Sequence, residues 1–155
     1  MAKSSPAKLR VFIDADVLFA GSASSSEQGA SLTLLRLAEI TLIEAVASEQ
    51  VVIEAERNLA LKLPEALPVF RLLVARCLKV VPSPNPAELA PFAGLAVKLD
   101  QSILAAAVLN ACPWLVTFNT RHYQPGHPDV TVLPPGDLVQ KIRYLLSDLS
   151  AIRPE

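Results

Sequence analysis

The segment LRVFIDADVLFAG, residues 9–21, decides the fold class, because a strand-like apolar run leads directly into two carboxylates. LRVFID is apolar and partly β-branched, which predicts a strand buried on both faces, as the strands of parallel sheets are. Asp14 ends this run, and Asp16 follows after a single alanine. A charge at the end of a buried strand needs a partner, so Asp14 is a candidate functional residue.

Strand-like and helical segments alternate along the rest of the chain. This alternation predicts βαβ units and therefore an α/β fold: a three-layer α/β/α arrangement with a mostly parallel central sheet. In chain order after the first strand, the sequence predicts a small-residue loop over 21–31, helix LTLLRLAEI, strand TLIEAVAS, helix 48–63, helix EALPVFRLLVARCL, strand KVVP, a proline-rich connection over 82–91, helix DQSILAAAVLNA, strand 114–118, and a final strand and helix within VTVLPPGDLVQKIRYLLSDL.

Length and composition indicate one globular domain. The chain has 155 residues, of which 52% are apolar, and this composition excludes global disorder. We expect a flexible N-terminal tail over 1–8, a single domain over 9–148 and a C-terminal tail over 149–155. The 14 basic and 15 acidic residues exclude the strongly basic surface of a protein that wraps duplex DNA. No apolar run is long enough for a membrane span, and we expect a cytoplasmic protein.

Four polar side chains are expected at one edge of the predicted sheet. Ligands of open parallel sheets bind beyond the carboxyl ends of the strands. Asp14 ends the first strand there, and Asn119 follows the strand WLVTF at the same edge. Asp100 opens a helix, and Glu54 lies in the second turn of another helix, from which it reaches the cleft if that helix begins at this edge.

Carboxylates gathered in one place indicate a cation. They repel one another and stay ionised together only if a cation is present or one of them takes a proton. Oxygen ligands favour Mg²⁺ or Mn²⁺, and the sequence has no His or Cys cluster that would argue for zinc. A cation held by carboxylates usually acts on phosphate groups.

Structural interpretations of the same residues remain open. Asp16 and Asp100 are both suitable helix N-caps. Glu56 competes with Glu54, because on a helical wheel Glu56 falls in the apolar stripe and Glu54 outside it, and this pattern does not decide between them. His122, together with the other histidine of the chain, is expected on the surface or in a loop.

The order of these segments resembles the PIN-domain family of metal-dependent nucleases. VFIDADVL is similar to the opening strand of that family, with its first acid at Asp14. SEQVVIEAERNL resembles the second acidic helix, where the family spacing favours Glu54. KLDQSILAAAVLNACPWLVTFNTRHY resembles the third block, with its acid at Asp100 and with Thr117 and Asn119 at the end of a strand.

The resemblance implies a metal-dependent endoribonuclease. Many family members are toxins of VapC type that an antitoxin peptide holds inactive, and many form homodimers, so it also implies an RNA substrate, an antitoxin partner and a homodimer. The resemblance implies catalysis by Asp14, Glu54, Asp100 and Asn119, and the first three of these would also bind Mg²⁺ or Mn²⁺. Substrate contact or support of the site is implied for Asp16, Thr117 and Arg121. Contact with the RNA backbone is implied for Arg121, Lys98 or Arg57.

Two positions depart from the family pattern and keep alternatives open. The middle position of the first motif, often Asn in the family, is Asp16, and the fourth acidic position is Asn119, which cannot neutralise a metal. Weaker metal binding, with one tight ion and one recruited with substrate, would follow. A catalytically weak PIN fold that serves as an RNA- or protein-binding platform is therefore one alternative. A phosphatase of the haloacid dehalogenase superfamily, with Asp14 as nucleophile and Asp16 as acid/base, is another.

Overall fold

Five strands form one sheet in the computed structural model, which describes residues 8–24 and 29–148. The strands are β1 Leu9–Ile13, β2 Ile43–Ser48, β3 Leu78–Val81, β4 Trp114–Val116 and β5 Thr131–Leu133. Within the described ranges the α-helices are α1 Ala15–Ala23, α2 Ala30–Glu39, α3 Glu49–Lys62, α4 Leu67–Cys77, α5 Pro86–Leu89, α6 Gln101–Leu109 and α7 Pro135–Ser147. The predicted tails, apart from Lys8, and the centre of the predicted loop over 21–31 lie outside the described residues.

The sheet is parallel throughout, with the strand order β3-β2-β1-β4-β5. Phe12 in β1 pairs with Val46 on one side and with Leu115 on the other, so β1 is the central strand. Strands β2 and β3 extend the sheet on one side of β1, and β4 and β5 extend it on the other. The strand order therefore reverses between β1 and β4, and it is at such a point that open α/β sheets form ligand crevices.

Helices cover the sheet in two groups, which confirms the three-layer α/β/α prediction. Helices α1, α2, α3, α4 and α7 pack against one another, and α5 packs against α6. Val11, Phe12 and Ile13 are completely buried, as expected for a strand covered on both faces. No helix of the described ranges is long and apolar enough to cross a membrane.

The loop predicted over residues 21–31 is shorter than expected, because small residues here serve helix packing. Residues 21–23 continue α1, and residues 30 and 31 begin α2. A Cβ atom on Gly21 would lie 2.7 Å from Cδ1 of Leu35 in α2. The small residue thus permits a close approach of α1 to α2, a tertiary requirement that the sequence pattern does not distinguish from a loop.

Other boundaries agree closely with the prediction. Ser48 is the N-cap of α3, and its hydroxyl oxygen accepts a hydrogen bond from the N–H group of Val51 at 3.4 Å. The proline-rich connection contains the short helix α5, which begins with a reciprocal capping box between Asn85 and Glu88. Because β2 ends at Ser48, α3 begins at the carboxyl edge of the sheet, as the position of Glu54 required.

Truncation of the central strand should test this core. Phe12→Ala removes a completely buried side chain, and we expect the free energy of unfolding, measured by urea denaturation, to fall by about 3–5 kcal/mol. Phe118→Ala is the matched control, since the ring of Phe118 is 53% exposed, and it should cost less than about 1 kcal/mol. Equal losses in the two variants would contradict the assignment of β1 to the centre of the core.

Candidate functional site

A cleft of about 740 Å³ opens at the carboxyl ends of β1 and β4. Its lining includes Asp14, Asp16, Glu54, Asp100 and Asn119, which come from four separate parts of the sequence. The parallel sheet and the start of α3 at its edge bring these side chains together. The structure therefore brings these five predicted side chains together at one site.

Asp14 is buried at the end of β1 and has a hydrogen bond to each carboxylate oxygen. Its Oδ1 atom accepts from the N–H group of Ala15 at 2.7 Å, and its Oδ2 atom accepts from the hydroxyl group of Tyr123 at 2.7 Å. Burial and the negative charge of Asp14 raise the pKa of Tyr123, so its hydroxyl group keeps its proton and acts as the donor. Asp14, not Asp16, is the N-cap of α1.

Asp16 ties α1 to the loop that follows β4. Its Oδ2 atom accepts hydrogen bonds from the hydroxyl group of Thr117 at 3.3 Å, the N–H group of Phe118 at 2.9 Å and the Nδ2 atom of Asn119 at 3.2 Å. The N–H group of Phe118 therefore donates to a side chain and not to a neighbouring strand. Strand β4 ends at Val116, two residues before the predicted boundary. Thr117 is fully buried and supports this loop, since its hydroxyl oxygen accepts from the N–H group of Asn119 at 3.1 Å.

The carboxyl group of Asp16 is held in an unfavourable environment for its charge. Burial and the nearby charge of Asp14 raise the pKa of Asp16 to about 6, although the hydrogen bonds from Phe118 and Thr117 oppose this change. The other carboxylate oxygen, Oδ1, is buried and has no hydrogen-bond partner among the residues that the structure describes. The group therefore carries a charge that the surrounding protein only partly compensates.

Glu54, and not Glu56, lies in the cleft. Glu56 is 47% exposed on another face of α3, where its Oε1 atom lies 3.8 Å from Nη2 of Arg71. The helical wheel gave the right order of exposure, since Glu54 is exposed and Glu56 is intermediate, but it is Glu54 that reaches the cleft. The buried residues of α3 are Val51, Ala55 and Leu59. Burial and the charges of Asp14 and Asp100 raise the pKa of Glu54, while Arg57 partly offsets them.

Asp100 faces the cleft, and His122 is its partner. Asp100 occupies the N-cap position of α6, but in the described part of the chain its side chain makes no capping hydrogen bond. Its Oδ2 atom instead lies 3.1 Å from Nδ1 of His122. Burial and the charge of Asp14 raise the pKa of Asp100, and the hydrogen bond with His122 opposes this change.

The contributions of His122 and Tyr123 were not predicted from the sequence. His122 is half exposed, as expected, but it lines the cleft. A short 3₁₀ helix, Thr120–Tyr123, turns the chain back toward the sheet edge directly after Asn119. Proximity to Asn119 along the chain was the only available signal, because a single 3₁₀ turn has no distinctive sequence pattern.

Positive charge is sparse around the cleft. Of the described residues that line it, Arg57 alone carries a permanent positive charge. Arg121 and Lys98, for which the PIN-domain resemblance also implies RNA contact, are exposed and are not part of the described lining. The predicted role of Arg121 at the site thus has no geometric support, and Arg57 is the better candidate for a phosphate contact.

The chemistry of the lining fits a hard divalent cation. Carboxylate oxygens are its preferred ligands, burial and the charge of Asp14 raise the pKa of both Glu54 and Asp100, and Oδ1 of Asp16 has no hydrogen-bond partner in the described ranges. Across residues 8–24 and 29–148, no three His, Cys, Asp or Glu side chains already converge as a ligand set. The donors are therefore of the right kind, and binding would require them to move closer together.

Comparison with known proteins identifies the family. Residues 10–121 match the model of the PIN domain, so the chain belongs to the PIN-domain family, whose members are generally nucleases. The structure is similar to a chain in the crystal structure of VapBC2 from Rickettsia felis, which was determined bound to a DNA fragment from the VapBC2 promoter. The TM-score is 0.62 and the sequence identity is 13%. The similarity covers 81% of this chain and 98% of that chain, and it shows a shared fold. No curated protein matches the sequence significantly.

The raised pKa of Asp16 predicts a pH-dependent effect of neutralising it. Above pH 6 the folded protein carries the unfavourable charge, whereas below the ordinary pKa of 3.8 both folded and unfolded chains are protonated. Asp16→Asn should therefore stabilise the metal-free protein near neutral pH, and the gain should disappear as the pH falls through 6 toward 4. For a fully buried carboxyl group, this pKa difference would correspond to a gain of about 3 kcal/mol in the free energy of unfolding. Solvent in the open cleft screens the charge, so we expect a gain of about 1 kcal/mol.

Urea denaturation in chelator at several pH values would measure this difference. An asparagine oxygen can still accept the three hydrogen bonds that Oδ2 of Asp16 receives. Asp129→Asn is the control, because it removes a charge from a side chain that is 76% exposed. A variant Asp16→Asn that is less stable than the wild type at neutral pH would show that the ionised carboxylate is required for folding.

Proposed function

We propose that the protein is a metal-dependent endoribonuclease that hydrolyses RNA phosphodiester bonds with Mg²⁺ or Mn²⁺. The observation that carries this proposal is the meeting of Asp14, Glu54 and Asp100 in one cleft, where burial and the charge of Asp14 raise the pKa of the other two carboxyl groups. This concentration of negative charge destabilises the metal-free site. A divalent cation would relieve it, and membership of a family of nucleases supports phosphodiester hydrolysis as the reaction.

In this proposal, Asp14, Glu54 and Asp100 hold the cation. When bound, it neutralises phosphate charge and lowers the pKa of a water molecule that attacks the phosphorus. Tyr123 and the N–H group of Ala15 fix the orientation of Asp14, and His122 fixes that of Asp100. These contacts restrict two of the three carboxylates before substrate arrives.

The remaining polar side chains of the cleft would act on substrate and water. Asn119 donates its amide N–H to Asp16, which leaves its amide oxygen available to orient a water molecule. Arg57 would contact a backbone phosphate of the RNA. Sparse positive charge fits a substrate that is held at a few phosphates instead of along an extended basic surface.

The proposal extends to a role as the toxin of a toxin–antitoxin pair, with a protein antitoxin, a homodimeric state and a cytoplasmic location. The resemblance to VapC-type toxins in the sequence and the shared fold with a VapBC2 complex support this setting. The haloacid dehalogenase alternative loses its basis, since the chain belongs to the PIN-domain family. Asn119 is the observation that favours the second alternative, a catalytically weak platform for RNA or protein.

Cleavage of a mixed RNA pool tests the proposal. The wild type should cut with Mn²⁺ or Mg²⁺ and not with chelator, and Asp100→Asn should lose at least about 100-fold in rate. Glu54→Gln should lose a similar factor, because it removes a ligand. Glu56→Gln is the matched control on the same helix, and we expect its rate to remain within about 3-fold of the wild type, as for a surface ion pair.

The outcomes separate the alternatives. Metal-independent cleavage that is equal in all variants would indicate a contaminating nuclease and would contradict the proposed site. RNA binding in chelator without cleavage under any condition would support the platform. Loss of activity in Glu56→Gln with an active Glu54→Gln would reverse the assignment of the second acid.

A further inference from the structure

Asp16 and Asn119 form a contacting pair of one acid and one amide. The Nδ2 atom of Asn119 donates to Oδ2 of Asp16 at 3.2 Å, and both residues line the cleft. The pair joins the first turn of α1 to the loop after β4, the two strand ends between which the strand order reverses. It therefore lies where a ligand of this fold is expected.

The two oxygens of Asp16 have different environments. Oδ2 accepts three hydrogen bonds from the loop after β4, whereas Oδ1 is buried and lacks a hydrogen-bond partner within the described chain. A loop clamp needs only one oxygen acceptor and would work equally well with a neutral side chain. The clamp alone does not explain why the residue is an acid, or why its second oxygen is buried without a hydrogen-bond donor from the described residues.

The contact also explains why residue 119 is an amide. An aspartate at this position would bring a second carboxylate to within hydrogen-bonding distance of Asp16, and two like charges so close cannot both remain ionised without a cation. The asparagine instead supplies a donor to Oδ2. Thus one member of the pair can carry the negative charge, and the other must be neutral.

We propose that Asp16 and Asn119 act as one unit in which Asp16 supplies the carboxylate that Asn119 lacks, and that the carboxylate of Asp16 serves the cation or a water molecule in its shell when the donors move together on binding. This inference rests on the proposed function, because it assigns a residue to the same metal site. It makes Asp16 a contributor to cation affinity and leaves Asn119 to position the pair. The site then carries four carboxylates despite the amide at position 119.

Exchange of the two residues tests the unit. Asp16→Asn, Asn119→Asp and the double variant would be compared with the wild type by calorimetric titration with Mn²⁺ alone at about pH 8, where carboxyl groups are ionised. Asp16→Asn should weaken Mn²⁺ binding by about 10-fold or more, a typical loss for a group that supports metal ligands. The double variant should return to within about 3-fold of the wild type, since it restores one acid and one amide in contact.

The double variant gives the decisive result. A loss of Mn²⁺ affinity in Asp16→Asn that the exchange recovers supports the unit, because a structural clamp alone would lose no affinity when residue 16 becomes neutral. Effects of the two substitutions that simply add, with no recovery in the double variant, would overturn it. If Asp16→Asn alone fails to fold, a double variant that folds and binds Mn²⁺ within about 3-fold of the wild type supports the unit, and a double variant that folds but lacks this affinity overturns it.

A matched control and the wild type complete the test. Glu49→Gln removes one negative charge from the same cleft lining and should change Mn²⁺ affinity by less than about 3-fold. A loss equal to that of Asp16→Asn would show a general charge effect and would overturn the specific role of Asp16. Absence of saturable Mn²⁺ binding to the wild type would overturn the proposed metal site itself, which is distinguishable from a failure of the exchange.

Discussion

The burial of one carboxylate, that of Asp14 at the end of the central strand, governs the organisation of the site. A charge in this position is tolerated because the first N–H group of α1 and the hydroxyl group of Tyr123 each donate a hydrogen bond to it. Burial and the negative charge of Asp14 together raise the pKa of Glu54, Asp100 and Asp16. The strand that forms the core thus also determines the electrostatics of the cleft.

This arrangement lowers the stability of the metal-free protein. Burial and mutual repulsion both disfavour the ionised carboxylates, and the hydrogen bonds from His122 to Asp100 and from the β4 loop to Asp16 compensate only part of this cost. Functional sites commonly retain such unfavourable interactions because the ligand relieves them. The near-neutral composition of the whole chain does not reveal this local excess of negative charge.

The sequence predicted the fold and the cleft from local patterns, but not the contacts that organise the cleft. Alternation of apolar strands and helices sufficed for the parallel sheet, and the strand ends located Asp14 and Asn119. The hydrogen bond between Tyr123 and Asp14 and the clamp of Asp16 on residues 117–119 join positions about a hundred residues apart, which no local pattern encodes. Gly21 illustrates the same limit, because the neighbour that requires a small residue lies in another helix.

The adjacency of β1 and β4 has a consequence for the newly made protein. The four parts of the cleft come from the beginning, the middle and the last third of the chain, and β4 pairs directly with β1. During synthesis, the cleft cannot form before residues 114–119 have left the ribosome and this strand has added to the sheet. A partly synthesised or truncated chain therefore lacks the site, and any activity that depends on it begins only with the complete fold.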